Sequence, residues 1–234
     1  MFDGFYKSEF SINDAVGRSV THVRGGKLLG GNSAFSHTGS YVEDDGEIIL
    51  EVTSRRHVAD PKYPSLLGSD VSQIHVRGRA DGRNYRFEGT SPQMPGAIFR
   101  SQMTPLGDDD MPPAGKVGDG GIGDGLYAVQ FRMLDGLKDG LNGVMLLKDG
   151  RILGGDAFFY YLGAYASADG RWKGEIINQE HTPASSEHPL FSGHEVGIGF
   201  AGTCNAEGAE LEGTALAGKR SLRLRASLKL VCKA

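Results

Sequence analysis

Short runs of alternating apolar and polar residues dominate the chain, and almost every run stops at a glycine pair or an Asp-Gly dipeptide. Alternation at period two puts successive side chains on opposite faces of a strand. Asp45-Gly46, Asp81-Gly82, Asp149-Gly150, Asp169-Gly170 and Gly25-Gly26 mark the turns. Two-residue hairpins need positive φ at their central positions, which these dipeptides supply at little cost. The pattern predicts strands near 4–10, 18–24, 27–41, 47–54, 71–77, 84–90 and 97–104. A second series follows near 126–132, 143–149, 151–165, 172–178, 195–202, 209–215 and 221–231. The long third run of each series contains a double glycine, which favours a break or bend, so each series counts about eight strands.

The two series are copies. A shift of 124 residues superimposes Gly30-Gly31 on Gly154-Gly155, Phe35 on Phe159, Gly39 on Gly163 and Tyr41 on Tyr165. It also superimposes Asp45-Gly46 on Asp169-Gly170, His57 on His181 and the string EGT at 88–90 on EGT at 212–214. The starts align with a three-residue slip, Gly4-Phe5-Tyr6 against Gly125-Leu126-Tyr127. One offset held this long means one unit duplicated. The predicted domains are therefore residues 1–106 and 125–234. The expected fold is all-β: two tandem small antiparallel β-barrels, related by internal duplication. Closure of an eight-stranded meander removes exposed edges; a sandwich is the competing architecture. Between the copies, GDDDMPPAGKVGDGGIGD at 107–124 has too little apolar surface to fold alone and reads as a flexible linker.

The third run is spelled differently in the two copies. In the second, Phe158, Tyr160 and Leu162 share one face of the strand, and Phe159, Tyr161, Gly163 and Tyr165 share the other. In the first, Phe35, His37, Gly39 and Tyr41 match the second face, while Ala34, Ser36, Thr38 and Ser40 occupy the first. The shared aromatic positions are assigned to the barrel interior. There Phe35, Tyr41, Phe159, Tyr161 and Tyr165 are candidates to line a cavity for a small apolar ligand. The unshared Phe158, Tyr160 and Leu162 are candidates for an outer contact, with the other copy or another chain; a neighbouring loop covering them is the alternative. The hairpin that follows is acidic only in the first copy, where Glu43, Asp44, Asp45 and Glu47 crowd one tip. Such a tip is either a solvated turn or an electrostatic handle for a basic protein partner.

Charge limits the partners. Residues 1–106 carry 12 basic and 12 acidic side chains, as do residues 125–234, so the net −4 of the 234-residue chain comes from the linker. Neither copy offers the basic surface that nucleic acid requires. No apolar run is long enough for a spanning helix. The N-terminus lacks the basic-then-apolar order of a secretory signal, so a cytoplasmic location is expected. The two cysteines, Cys204 and Cys232, fit no zinc or redox spacing and read as reduced thiols.

Little chemistry stands out. His57 and His181 recur without a recurring nucleophile or carboxylate, which favours loop anchoring. The stretch EHTPASSEHPLFSGHE gathers His181, His188 and His194 with Glu180, Glu187 and Glu195, but at no metal-ligand spacing. An enzyme using this loop is the weakest reading, and no cofactor or metal is expected.

Three segments carry a family resemblance: GLYAVQF at 125–131, LKDGRILGGDAFFYYLGAY at 147–165 and GSYVEDDGEIILEV at 39–52. With them the chain resembles, twice over, the GrlR-like family of negative regulators of type III secretion. The resemblance implies a calycin-like barrel with an apolar cavity that pairs as a dimer. It also implies action by binding a transcriptional activator rather than DNA. The family's acidic turn, implicated in partner recognition, falls on Glu43, Asp44, Asp45 and Gly46, where Gly46 replaces an acid. The second copy has Ser167, Ala168, Asp169 and Gly170 there. Two linked copies would form an intramolecular pseudo-dimer, since about 18 flexible residues span on the order of 25 Å. The expected function is thus a non-enzymatic regulatory binding protein, with a carrier of a small apolar ligand as the alternative.

Overall fold

A computed structural model of the chain describes residues 1–107, 112–134, 141–184 and 195–234. The chain divides into two compact units, Met1–Asp109 and Asp110–Ala234. The first unit contains β1 (Gly4–Ile12), β2 (Ala15–Arg24), β3 (Lys27–Gly31), β4 (Phe35–Asp44), β5 (Glu47–Arg56), β6 (Val71–Asp81), β7 (Asn84–Thr90) and β8 (Phe99–Pro105). The second contains β9 (Gly125–Met133), β10 (Leu141–Lys148), β11 (Arg151–Gly155), β12 (Phe159–Ala168), β13 (Arg171–Glu180), β14 (Val196–Cys204), β15 (Gly208–Ala217) and β16 (Arg220–Lys233). Each set forms a closed antiparallel barrel in sequential order, β8 returning to β1 and β16 to β9. The fold is therefore all-β, two eight-stranded barrels in tandem, and the sandwich alternative is excluded by closure.

The double glycines break the long third run as expected, for a reason repeated in both copies. A Cβ on Gly30 would lie 2.2 Å from the Val20 carbonyl oxygen, and one on Gly154 at the same distance from that of Val144. The neighbouring strand comes too close for any side chain. The chain then turns on an acceptor two residues later. Asn32 Oδ1 takes the backbone N–H groups of Ala34 and Phe35, and Asp156 Oδ1 takes those of Phe158 and Phe159. These side-chain turns supply bonds the sheet no longer provides.

Each barrel has its own core. In the first it includes Tyr6, Ile12, Val23, Leu28, Leu50 and Phe87. In the second, Tyr127, Met145, Tyr165, Trp172, Phe200 and Leu224 contribute. The outward positions of β9–β12 are aliphatic too, because Leu126, Leu146, Leu153 and Leu162 are Cα partners in a row across the four strands. This row accounts for a β12 that is apolar on both faces.

The tether needs correction. Composition predicts a flexible segment over 107–124, yet its described part from 112 onward is built onto the second barrel. Gly115 N–H donates to Gly150 O at 3.0 Å, and Ser167 N–H to Lys116 O at 2.9 Å. Asp169 N–H donates to Asp119 O at 2.9 Å, and Gly170 N–H to Gly120 O at 2.8 Å. Glycine allows this approach, since a Cβ on Gly115 would meet the Tyr165 carbonyl oxygen at 2.0 Å. The segment also carries Ile122, which is 1% exposed and belongs to the core of the second barrel.

Candidate functional site

Both barrels are stopped at the same end by the same device. In the first, Phe2 is fully buried among Tyr6, Tyr41, Tyr85 and Phe87, with ring centroids 4.7 to 5.5 Å away. Its backbone N–H donates to Glu43 Oε1 at 2.9 Å. In the second, Ile122 takes the position of Phe2, and its N–H donates to Ser167 Oγ at 2.8 Å. Ser167 is the counterpart of Glu43 at the 124-residue offset. Behind each plug the first tyrosine of the barrel ties the segment down. Tyr6 Oη donates to Asp3 O at 2.9 Å and Tyr127 Oη to Gly123 O at 2.7 Å.

This device reassigns part of the expected partner surface. Glu43 pairs across the hairpin with Ile48, which is buried, and its carboxylate is occupied by the plug. Glu47 Oε2 lies 3.1 Å from Arg77 Nη1. Asp44 and Asp45 remain exposed at the tip, Asp45 at φ 47° ahead of Gly46 at 73°, a primed hairpin turn. Of the four acids proposed for a partner, Glu43, Asp44 and Asp45 are exposed, Glu43 also accepting the Phe2 N–H, and Glu47 is in a surface ion pair.

Of the expected interior aromatics in the first barrel, Tyr41 packs against the core and Phe35 is buried outside it. In the second barrel Phe159, Tyr161 and Tyr165 all belong to the packed core. Tyr161 meets Phe131 edge-on at 5.9 Å and donates to Asp156 Oδ2 at 3.0 Å. Tyr165 meets Trp172 at 6.2 Å, and Trp172 in turn lies 4.6 Å from Phe200. Burial raises the pKa of the Tyr165 phenol, with Asp124 adding to the effect. In the first barrel Tyr41 donates to Asp3 Oδ1 at 2.5 Å, and burial together with that bond pushes its pKa up to about 12. Phe35 lies under the Arg56 guanidinium, 4.3 Å from the ring centroid, at the opposite end of β4. The three candidates for an outer contact separate. Phe158 packs against the core of its own barrel, Tyr160 is half-buried and hydrogen-bonded to Gln179, and Leu162 stands in the outward leucine row.

The feature that sequence reasoning passed over is His37. It is buried as the third residue of β4, and neither ring nitrogen has a hydrogen-bond partner among the described residues. Phe10 meets it edge-on at 6.0 Å. Burial, with a smaller contribution from nearby His57, lowers its pKa from 6.5 to about 4, so the ring is neutral at pH 7. The signal was present in the string SHTGS, which puts a histidine where the other copy has a tyrosine, but alternation alone does not reveal what surrounds it.

His57 and His181 share one geometry. Their Nε2 atoms lie 3.1 Å from Asn32 O and 3.4 Å from Asp156 O. Their backbone N–H groups donate to Ala34 O and Phe158 O. Each braces the turn after a double glycine. His188, His194 and Glu187 lie outside the described residues. No group of three or more His, Cys, Asp or Glu side chains among the described residues converges as a metal site requires. Cys204 Sγ lies 3.4 Å from Ser167 Oγ.

No protein-family model matches the chain, and no curated protein matches it. Among solved structures, a Bacteroides fragilis NCTC 9343 protein (BF2706), provisionally described as an outer membrane protein, aligns over 97% of this chain and 96% of its own. The identity is 10% and the TM-score 0.26, a likeness too slight to carry any argument. The class is therefore defined by the coordinates alone: a tandem pair of plugged eight-stranded β-barrels.

Proposed function

We propose that the chain is a non-enzymatic regulatory binding protein that meets a protein partner at the tip of the β4–β5 hairpin. The observation that carries this reading is the hairpin tip itself, anchored by the Phe2 N–H through Glu43 Oε1 and presenting acids to solvent. At the tip, Asp44 and Asp45 are exposed and are not repeated as a pair in the second copy, so the two barrels differ where a partner would choose between them. A carboxylate pair of this kind steers a basic protein surface and changes association rates more than burial does. The resemblance to GrlR-like regulators supports the same reading, with a transcriptional activator as the partner class and the cytoplasm as the site of action.

The test is double substitution of the tip, Asp44→Lys with Asp45→Asn, the asparagine preserving a residue that tolerates positive φ. Capture of a defined partner from the native cytoplasm should weaken about tenfold and lose its salt dependence, while the circular dichroism spectrum is unchanged. Glu212→Lys on the second barrel should leave capture as it was. Undiminished capture by the tip variant would remove the hairpin from the function.

A further inference from the structure

Barrel 1 differs from barrel 2 most in the layer that holds His37. Five inward positions follow one another as Cα partners from strand to strand: Ser72, Ser54, His37, Gly30 and Thr21. Ser8 and Ser19, paired with each other on β1 and β2, belong to the adjoining row. All six side chains are buried. The corresponding positions of barrel 2 are Val196, Asn178, Tyr161, Gly154 and Met145, followed by Val129 and Gly143. Barrel 1 is thus the more polar at this level, and its side chains are smaller except at Gly30, where both copies have glycine, and at Ser19, where barrel 2 has Gly143. Where these smaller groups leave space beside Phe10, which meets His37 edge-on at 6.0 Å, a polar enclosed space is hydrated or occupied rather than empty.

We propose that this layer is a binding site for a small uncharged molecule carrying hydroxyl or amide groups, with the His37 ring as its central contact and the hydroxyls of Ser54, Ser72 and Thr21 around it. The proposal is independent of the hairpin reading, since it concerns the interior rather than the surface. It revises the chemistry expected for a barrel ligand from apolar to polar. An imidazole with both nitrogens unmet among the described residues needs an acceptor on one side of the ring and a donor on the other, roles that hydroxyl and amide groups both fill. Charge is excluded on both sides. The stripe has no ionised side chain, and Arg56, two residues past Ser54 on the same face of β5, is turned to Asp70 and to the carbonyls of Val58 and Tyr63. Bringing an ion into such a layer without a counter-charge costs far more than its hydrogen bonds return. Size is bounded as well, because Phe2 closes one end and Leu66, Leu67 and Met94 pack against the core from the loops of the other.

The experiment uses the full chain labelled with 15N-histidine, titrated with acetamide and with ethylene glycol, and reads the imidazole nitrogen shifts. Acetate and benzene serve as comparison probes. The expected result is a saturable, millimolar shift of the His37 nitrogens with the neutral polar probes, as the affinity ceiling for so small a ligand permits. The other histidines should not move. Ser54→Val should weaken the response several-fold, the loss of one neutral hydrogen bond, and His37→Phe should abolish probe binding measured by saturation transfer. If His37→Phe does not fold, Ser54→Val combined with Ser72→Val decides the matter by the same readout. Absence of any shift with both neutral probes, meaning a ring that meets only water, overturns the proposal. A response to benzene or acetate in their place overturns it equally.

Discussion

Truncating Phe2 to alanine is expected to destabilise barrel 1 by about 3–5 kcal/mol, the cost of emptying an aromatic site that cannot collapse. Four aromatic rings surround it, held by strands that close on themselves, so little relaxation is available. The counterpart, Ile122→Ala, should cost barrel 2 about 2–5 kcal/mol by the same argument. The chain offers a direct way to tell the two apart. Its single tryptophan, Trp172, sits in the core of barrel 2, donating to Glu210 O at 3.0 Å. Tryptophan emission during urea denaturation should therefore shift its midpoint for Ile122→Ala and hold it for Phe2→Ala. Far-ultraviolet circular dichroism should register both. A cost below about 1 kcal/mol for Phe2→Ala would mean that the ring merely covers the barrel end, since surface substitutions fall in that range.

The plug also explains which parts of this molecule were legible in its sequence. Alternation, Asp-Gly turns and the 124-residue offset gave the strands and the duplication, because each of these is a local signal. Even the break of the third run was marked, by a double glycine followed by Asn32 or Asp156. The plugs were hidden by distance. Phe2 meets Glu43 across 41 residues and Ile122 meets Ser167 across 45, and neither partner is marked by type, one being an acid and the other a serine. Glu43 reads as one of four surface acids and is exposed, yet register places it opposite buried Ile48 and within reach of the Phe2 N–H. Ile122 lay in a run of glycine and aspartate whose composition argues for a free tether. Composition describes what a segment buries by itself, and says nothing of what it buries against a neighbour.

Divergence between the copies follows a pattern. Elements that hold the backbone persist with their partners: Asn32 with Asp156, His57 with His181, and Tyr6 with Tyr127. Positions that face the centre of the barrel have changed in character, from Thr21, His37, Ser54 and Ser72 to Met145, Tyr161, Asn178 and Val196. Barrel 2 spends this layer on packing, where Tyr161 finds an acceptor in Asp156. Barrel 1 keeps hydroxyls and an imidazole at a cost in packing, which is the signature of a layer retained for something other than stability.

That cost should be visible as an acid limb in the stability curve, with a definite sign. His37 titrates near 4 in the folded barrel and at about 6.5 when exposed, so folding favours the neutral ring. Its contribution is intact above pH 6.5. As the pH falls from there toward 4, the unfolded chain takes up a proton that the folded barrel refuses, and stability drains away by about 2 to 3 kcal/mol. Below pH 4 both states are protonated and the loss stops growing. His57, also lowered, chiefly by burial, adds in the same direction. Carboxylate titration overlaps this window, so the measurement is a difference. Unfolding free energies of the wild type and of His37→Phe are compared at pH 7 and pH 4.5 by circular dichroism. The wild type should lose about 2 to 3 kcal/mol more than the variant over that interval. Parallel losses would mean that the ring is protonated in the folded state, with an acceptor close enough to hold the charge, and the neutral, unpartnered imidazole at the centre of barrel 1 would have to be abandoned.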